Sequence, residues 1–270
     1  MLKQRIITAL ILALCLLGVL FVLPPIVGLL IWGVVITLGA WEWAALGGLR
    51  GAGARLAYAM CVAVMLWGVW VWGADARERV LIYIGACLWW CIAFLWLVFA
   101  PEFRRPLLVL ACGMLVLVPC FVAIADVQST VNATVGGPEG VLWLLAWVFS
   151  ADIGAYFAGR AFGRSKLAPR ISPGKTWEGV IGGVLLAVVL GAVGARWFGV
   201  PVLPAVSFGI ALIAVSIVGD LTESMFKRGA GLKDSGALLP GHGGVLDRID
   251  SVTAAAPLFA LALHAYGGLS

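Results

Sequence analysis

The segment SIVGDLTESMFKRG places Asp220, Glu223, Ser224 and Lys227 at i, i+3, i+4 and i+7, which is one face of a helix. Two carboxylates and a lysine on one face suit a divalent cation and a phosphate. Residues 233–251 follow as KDSGALLPGHGGVLDRIDS, where Asp247 and Asp250 are three apart and share a helix face. The GHGG ahead of them, with Gly243 and Gly244, offers backbone amides in conformations that glycine takes easily, an arrangement that can cradle an anion. His242 in that loop fits three roles: a base, a ligand or a hydrogen-bonding loop residue.

A second group precedes these. In FSADIGAYFAGRAFGRS, Asp152, Tyr156 and Arg160 are four residues apart and project from one helix face. A carboxylate at the centre of a membrane helix costs about 2.5–3.5 kcal/mol on insertion scales, so such residues are usually partnered and functional. The next loop, SKLAPRISPGKTWEG, ends in GKT, but Pro169 stands where a P-loop needs its first glycine and an apolar helix precedes it. What remains is a basic loop whose Lys175 and Thr176 open a helix and so favour an anionic group.

Structural alternatives stand beside each group. Asp152 could simply pair with a base, Ser172-Pro173 with Glu178 could be a capped helix entry, and the acids after Val218 could be a solvated helix end. The acids are nonetheless hard oxygen donors without Cys or His at zinc spacing, which selects Mg²⁺ or Mn²⁺. Lysines and arginines interleaved with them point to a polyanionic substrate, because Mg²⁺ is commonly held by one or two carboxylates plus substrate phosphates. The residues alone therefore support metal-assisted phosphoryl or nucleotidyl transfer.

The elements that must hold these groups are apolar. Of 270 residues 63% are hydrophobic and only 11% charged, with a mean hydropathy of +1.09, against roughly 25% charged in soluble domains. The sequence predicts an all-α polytopic membrane protein with nine transmembrane helices near 6–23, 26–44, 56–73, 80–99, 106–125, 140–158, 179–196, 203–223 and 252–267. The first run resembles a signal peptide, but it is long and lacks a small-x-small cleavage site, so it is read as a retained helix. The chain forms one integral domain, in which residues 1–138 are mainly scaffold and 139–270 carry the site.

Alternate loops are basic: Lys3 and Arg5, Arg50 and Arg55, Arg104 and Arg105, the cluster from Arg160 to Lys175, then Lys227, Arg228, Lys233 and Arg248. The opposite side holds Arg77, Arg79 and Arg196. The positive-inside rule then sets the N-terminus and the polar motifs in the cytoplasm. The net charge of +5 belongs to that face, where it suits anionic headgroups and calls for no nucleic acid. All six cysteines sit in or beside apolar runs and read as small hydrophobes. The aromatic stretch from Trp67 to Trp96 reads as interfacial belt and lipid-facing packing.

Residues 224–250, SMFKRGAGLKDSGALLPGHGGVLDRID, resemble the full signature of phosphatidate cytidylyltransferases, also called CDP-diacylglycerol synthases. The resemblance extends to DIGAYFAGRAFG, SPGKTWEG and the nine-span layout, while the first five spans match in hydropathy only. It implies cytidylyl transfer from CTP to phosphatidate with release of pyrophosphate, in a bacterial inner membrane, with the active site facing the cytoplasm. It further implies Asp220 and Asp247 as ligands of Mg²⁺, with Glu223 in the metal set and scope for a second cation. Asp250 and Asp152 would be supporting acids. Lys175, Lys227, Arg228, Lys233 and Arg248 would hold phosphates, with Ser172, Thr176, Tyr156, His242, Gly243 and Gly244 lining the substrates. CTP, phosphatidate and membrane lipids are the expected partners, and a homodimer is open.

Two rivals remain at this stage. A transporter should carry its acids near mid-bilayer in paired halves, whereas these cluster in one half without an internal repeat. A CTP-dependent enzyme acting on another lipid shares the same chemistry. The phosphate nucleophile is largely ionised at neutral pH, because a phosphomonoester's second pKa is about 6, so the loop role of His242 is preferred over that of a base.

Overall fold

A computed structural model describes residues 2–73, 75–102, 105–130, 134–238 and 243–266, with side chains in the first helix from Leu10 onward. Among these, the chain forms α1 (Leu2–Phe21), α2 (Pro25–Leu46), α3 (Ala52–Trp72), α4 (Ala76–Phe99), α5 (Pro106–Ser129) and α6 (Gly137–Phe162). A hairpin of β1 (Lys166–Ala168) and β2 (Ser172–Thr176) then leads into α7 (Trp177–Trp197), α8 (Val202–Gly229) and α9 (Leu246–Ala265). The predicted helices are all present. Seven of them, α2 to α8, are long and apolar enough to cross a membrane, while α1 and α9 fall outside that set. The start of α9 carries Asp247, Arg248 and Asp250, whose charges lower the helix's hydropathy.

Helix ends follow local chemistry. Proline sits in the first turn of α2, α5 and α6, where its missing N–H costs nothing. Asp75 and Glu78 form a reciprocal capping box at α4. One helix end follows the polar spacing past its apolar run, and one expected loop takes another form. The apolar run of α8 stops near Val218, but the helix continues to Gly229 because its polar end packs inside the protein, with Glu223 and Lys227 buried. The loop 165–176 is a hairpin in which Lys166 faces Thr176 and Ala168 faces Ser172. Ser172 therefore lies in a strand, and Thr176 caps α7 by accepting from the Gly179 N–H at 3.1 Å. Glu178 instead accepts from the Ser165 N–H at 3.0 Å.

Two packing arrangements position the site. On α7, Gly179, Gly183, Ala187, Gly191 and Ala195 recur every four residues and are all buried. This small-residue stripe lets α6 and α7 approach backbone to backbone; a Cβ at Gly183 would meet the Ala151 carbonyl. Trp147 of α6 fills the space beside Gly191 and Gly209. The second arrangement is α9, whose run from Ser251 to Pro257 is buried against α2, α4, α5, α6 and α8. The two halves of the chain are thus interlocked. The aromatic stretch divides: Trp67 and Trp72 are exposed, whereas Trp89 and Trp90 are buried in the core.

Candidate active site

A cavity of about 440 Å³ opens between α6, the hairpin, α7, α8 and α9. The α6–α7 seam brings Asp152 and Tyr156 to one wall, opposite Lys175 and Thr176 from the end of β2. The C-terminal part of α8 supplies Asp220 and Lys227, and the start of α9 supplies Asp247, Arg248 and Asp250. Asp234 completes the polar rim, while Ala151, Gly183, Ile213 and Ile217 form an apolar wall. The cavity can therefore receive a charged group and an apolar one side by side.

Its charges form a connected set. Lys227 Nζ lies 2.7 Å from Asp247 Oδ1 and 2.9 Å from Glu223 Oε1. The Asp247 carboxylate also accepts from the N–H groups of Ser235 (3.0 Å) and Gly244 (2.8 Å). Lys175 pairs with Asp220, whose other oxygen accepts from the Ser224 hydroxyl at 3.3 Å. Five aspartates line the cavity (152, 220, 234, 247 and 250) against three cations (Lys175, Lys227 and Arg248). Once the two ion pairs are set aside, Asp152, Asp234 and Asp250 face Arg248. Carboxylates gathered in one cavity repel one another, and a bound cation relieves that repulsion.

The donor set accordingly fits a hard divalent cation. The acids expected as ligands, Asp220 and Asp247, both face the cavity. Among the described residues no three His, Cys, Asp or Glu side chains converge on one point as a ready-made cage. Glu223 does not line the cavity; it is buried beneath Lys227 and orients that lysine.

Several expected substrate contacts lie elsewhere. Ser172, Arg228, Lys233, Gly243 and Gly244 are outside the cavity lining. Arg228 donates to the carbonyls of Ile171 and Leu232 and so ties α8 to the hairpin. Gly243 has φ +81°, and a Cβ there would also press on the Asp247 carboxylate. Next to it, the Gly244 N–H donates to the Asp247 carboxylate at 2.8 Å, and the following amide, that of Val245, donates to Glu42 at 3.1 Å. His242 lies outside the described residues. Tyr156 accepts a hydrogen bond from Arg160 at 3.0 Å, as their spacing on one face predicted.

Two polar residues of the scaffold half escaped the sequence reading. Glu42, in WEWAAL, is 1% exposed and reaches the base of the Ser235–Leu246 loop. Asp126 sits at the other end of the bundle with Arg79, Tyr83 and His264. A lone acid inside an apolar run was the available signal for both.

The family profile described as the cytidylyltransferase family matches residues 3–266. A phosphatidate cytidylyltransferase of Pseudomonas aeruginosa is 45% identical, with 99% of this chain and 98% of the relative covered. The phosphatidate cytidylyltransferase of Haemophilus influenzae is 40% identical over 96% of this chain and 97% of its own. One from Brucella suis is 54% identical over 127 residues, 45% of each chain. A family match that spans the cavity, the hairpin and the scaffold alike leaves one conclusion: the chain belongs to the cytidylyltransferase family.

Proposed function

We propose that this protein transfers the cytidylyl group of CTP to phosphatidate, giving CDP-diacylglycerol and pyrophosphate for phospholipid synthesis. The observation that carries the reading is the acid-rich cavity with its apolar wall, built from the motif residues Asp152, Lys175, Asp220, Lys227, Asp247 and Asp250. Near-full-length relatives named for this activity support it.

The reacting groups are both anions, so the main barrier is mutual repulsion and the charge that develops on pyrophosphate. Lys175, Lys227 and Arg248 line the cavity and hold phosphate oxygens there, where fixed cations act most strongly on developing charge. Asp220 and Asp247, with Asp152 and Asp250 beside them, hold Mg²⁺, and the surplus of acids leaves a place for a second cation. Bound there, the metal supplies Lewis-acid stabilisation of the phosphates. Glu223, 2.9 Å from the Lys227 Nζ, keeps that side chain aimed. The phosphomonoester of phosphatidate is mostly ionised at neutral pH, its second pKa being about 6, so it attacks without a general base. The leaving pyrophosphate departs from the α-phosphorus in line with that attack.

The distribution of Lys and Arg supports a cytoplasmic cavity and N-terminus in a bacterial inner membrane. CTP then enters from the aqueous side while the lipid's acyl chains lie along the apolar wall. A homodimer is compatible with the exposed apolar flanks of α3 and α4. The test is direct: purified protein, phosphatidate vesicles, labelled CTP and Mg²⁺. CDP-lipid should form, and it should fall by about 10²–10³-fold in Asp220→Asn and in Asp247→Asn. Absence of product from wild type overturns the function, and undiminished product from both variants overturns the metal assignment.

A further inference from the structure

No residue before Ala151 lines the cavity among the described residues, yet Glu42 of α2 is wired into it. Its Oε2 accepts from the Ser235 hydroxyl at 2.8 Å and from the Leu246 N–H at 2.8 Å, and its Oε1 accepts from the Val245 N–H at 3.1 Å. Leu246 opens α9, and its N-cap residue, Val245, has no capping side chain. The first N–H groups of a helix need an acceptor, and the helix dipole favours a negative one. Glu42 provides this from a different helix, about 200 residues away in sequence.

Ser235 links this contact to the reaction centre. Its hydroxyl donates to Glu42 while its N–H donates to both oxygens of Asp247. Asp247 in turn pairs with Lys227. The loop also has two glycines set against the Glu42 carboxylate: a Cβ at Gly236 or at Gly244 would collide with it. The 235–246 loop therefore closes at both ends on a pair of carboxylates, Glu42 behind and Asp247 in front.

We propose that Glu42 is a positioning residue for the transfer reaction. It sets the start of α9 and the loop base, and through Ser235 it fixes where Asp247 and Lys227 present their charges. This rests on the proposed function of the cavity. Glu42 touches no cavity surface, so its removal should leave CTP capture by Lys175 and Arg248 intact and lower the rate of the charged step.

The experiment compares wild type, Glu42→Gln, Ser235→Ala and the double variant in the CTP and phosphatidate vesicle assay. Melting in detergent and hydrogen exchange of the loop amides are measured in parallel. Glutamine keeps the size of the side chain but replaces one acceptor oxygen by an NH₂. The expected result is a kcat lowered about 10- to 50-fold with KM for CTP within about threefold of wild type. Ser235→Ala should lower kcat about 3- to 10-fold, and the double variant should match Glu42→Gln, because the two act through one link. Exchange at Ser235, Val245 and Leu246 should quicken about tenfold or more.

If wild type makes no CDP-lipid, the reading of the cavity fails first. If wild type is active and Glu42→Gln keeps its kcat while only its melting falls, Glu42 is structural and the proposal is overturned. Should Glu42→Gln not fold, Ser235→Ala decides: an unchanged kcat overturns the proposal and a lowered one upholds it.

Discussion

Both ends of α9 meet polar clusters, about 26 Å apart along a helix that rises 1.5 Å per residue, and the two ends are built to opposite rules. At the far end one carboxylate, Asp126, is hydrogen-bonded to Tyr83 at 2.8 Å and to His264 at 2.8 Å, and pairs with Arg79 at 3.2 Å. At the cavity end five aspartates meet three cations. The far cluster sets several cationic or donor groups against one acceptor, whereas the near one has more acceptors than cations, the balance that a bound cation would complete. A polar group in an apolar bundle thus signals either a clamp or a reaction centre, and the balance of donors to acceptors separates the two.

That distinction predicts a double dissociation. The largest effect should come from Asp250→Asn, which removes one surplus acid from the cavity wall. CDP-lipid formation should fall by about 10²–10³-fold. Stability should hold or rise, because Asp250 has no ion pair among the described residues and its removal relieves repulsion with the other acids. Activity and melting measured on the same preparation decide it: a sharp loss of melting temperature with normal turnover would make Asp250 a clamp.

Asp126→Asn should do the reverse. The amide cannot serve Arg79, Tyr83 and His264 together, and leaving buried donors unserved costs about 2–3 kcal/mol. Melting in detergent should drop, while kcat of the folded protein stays within about twofold. A kcat reduced tenfold at full stability would mean that the far cluster steers α9 as Glu42 does, and the contrast between the two ends would collapse.

Much of this layout was readable in sequence, and the failures have a common cause. Hydropathy located the helices because the bilayer imposes a length on each, and α5 begins at Pro106 as the apolar run predicts. Spacing on a single helix located Asp152 with Tyr156 and Glu223 with Lys227, since i, i+4 neighbours meet whatever the fold. Contacts between distant segments left no such mark. Glu42 and Ser235 are 193 residues apart, and Asp126 and His264 are 138 apart, so neither pair has a period to read. The hairpin was missed because SKLAPRISPGKT has the composition of a loop, and only its fold-back places Lys175 beside Asp220.

The seam between α6 and α7 offers a third test, since it carries Asp152 to the cavity without taking part in either cluster. Gly183→Leu would drive a side chain into the Ala151 backbone, an overpacking that costs about 1–3 kcal/mol. Melting should fall and turnover should fall with it, because parting the seam moves Asp152 away from Lys175. Gly199→Ala, at a positive φ of 67° with open space around it, should lower melting by about 1–2 kcal/mol and leave turnover alone. Equal losses of turnover in both variants would show that strain in or just beyond α7 suffices wherever it falls and that the seam has no special part.

The smallest effect is expected at Tyr156. It lines the cavity, but it is 57% exposed and its hydroxyl already accepts from Arg160. It adds no charge to the five-to-three imbalance, so Tyr156→Phe keeps what the cavity needs for chemistry. KM for phosphatidate should rise no more than about threefold, with kcat unchanged and melting within about 0.5 kcal/mol of wild type. A kcat lowered a hundredfold would put a neutral hydroxyl on a par with Asp250. Hydrogen bonding, rather than surplus negative charge, would then be what sets this end of α9 apart from the clamp at the other.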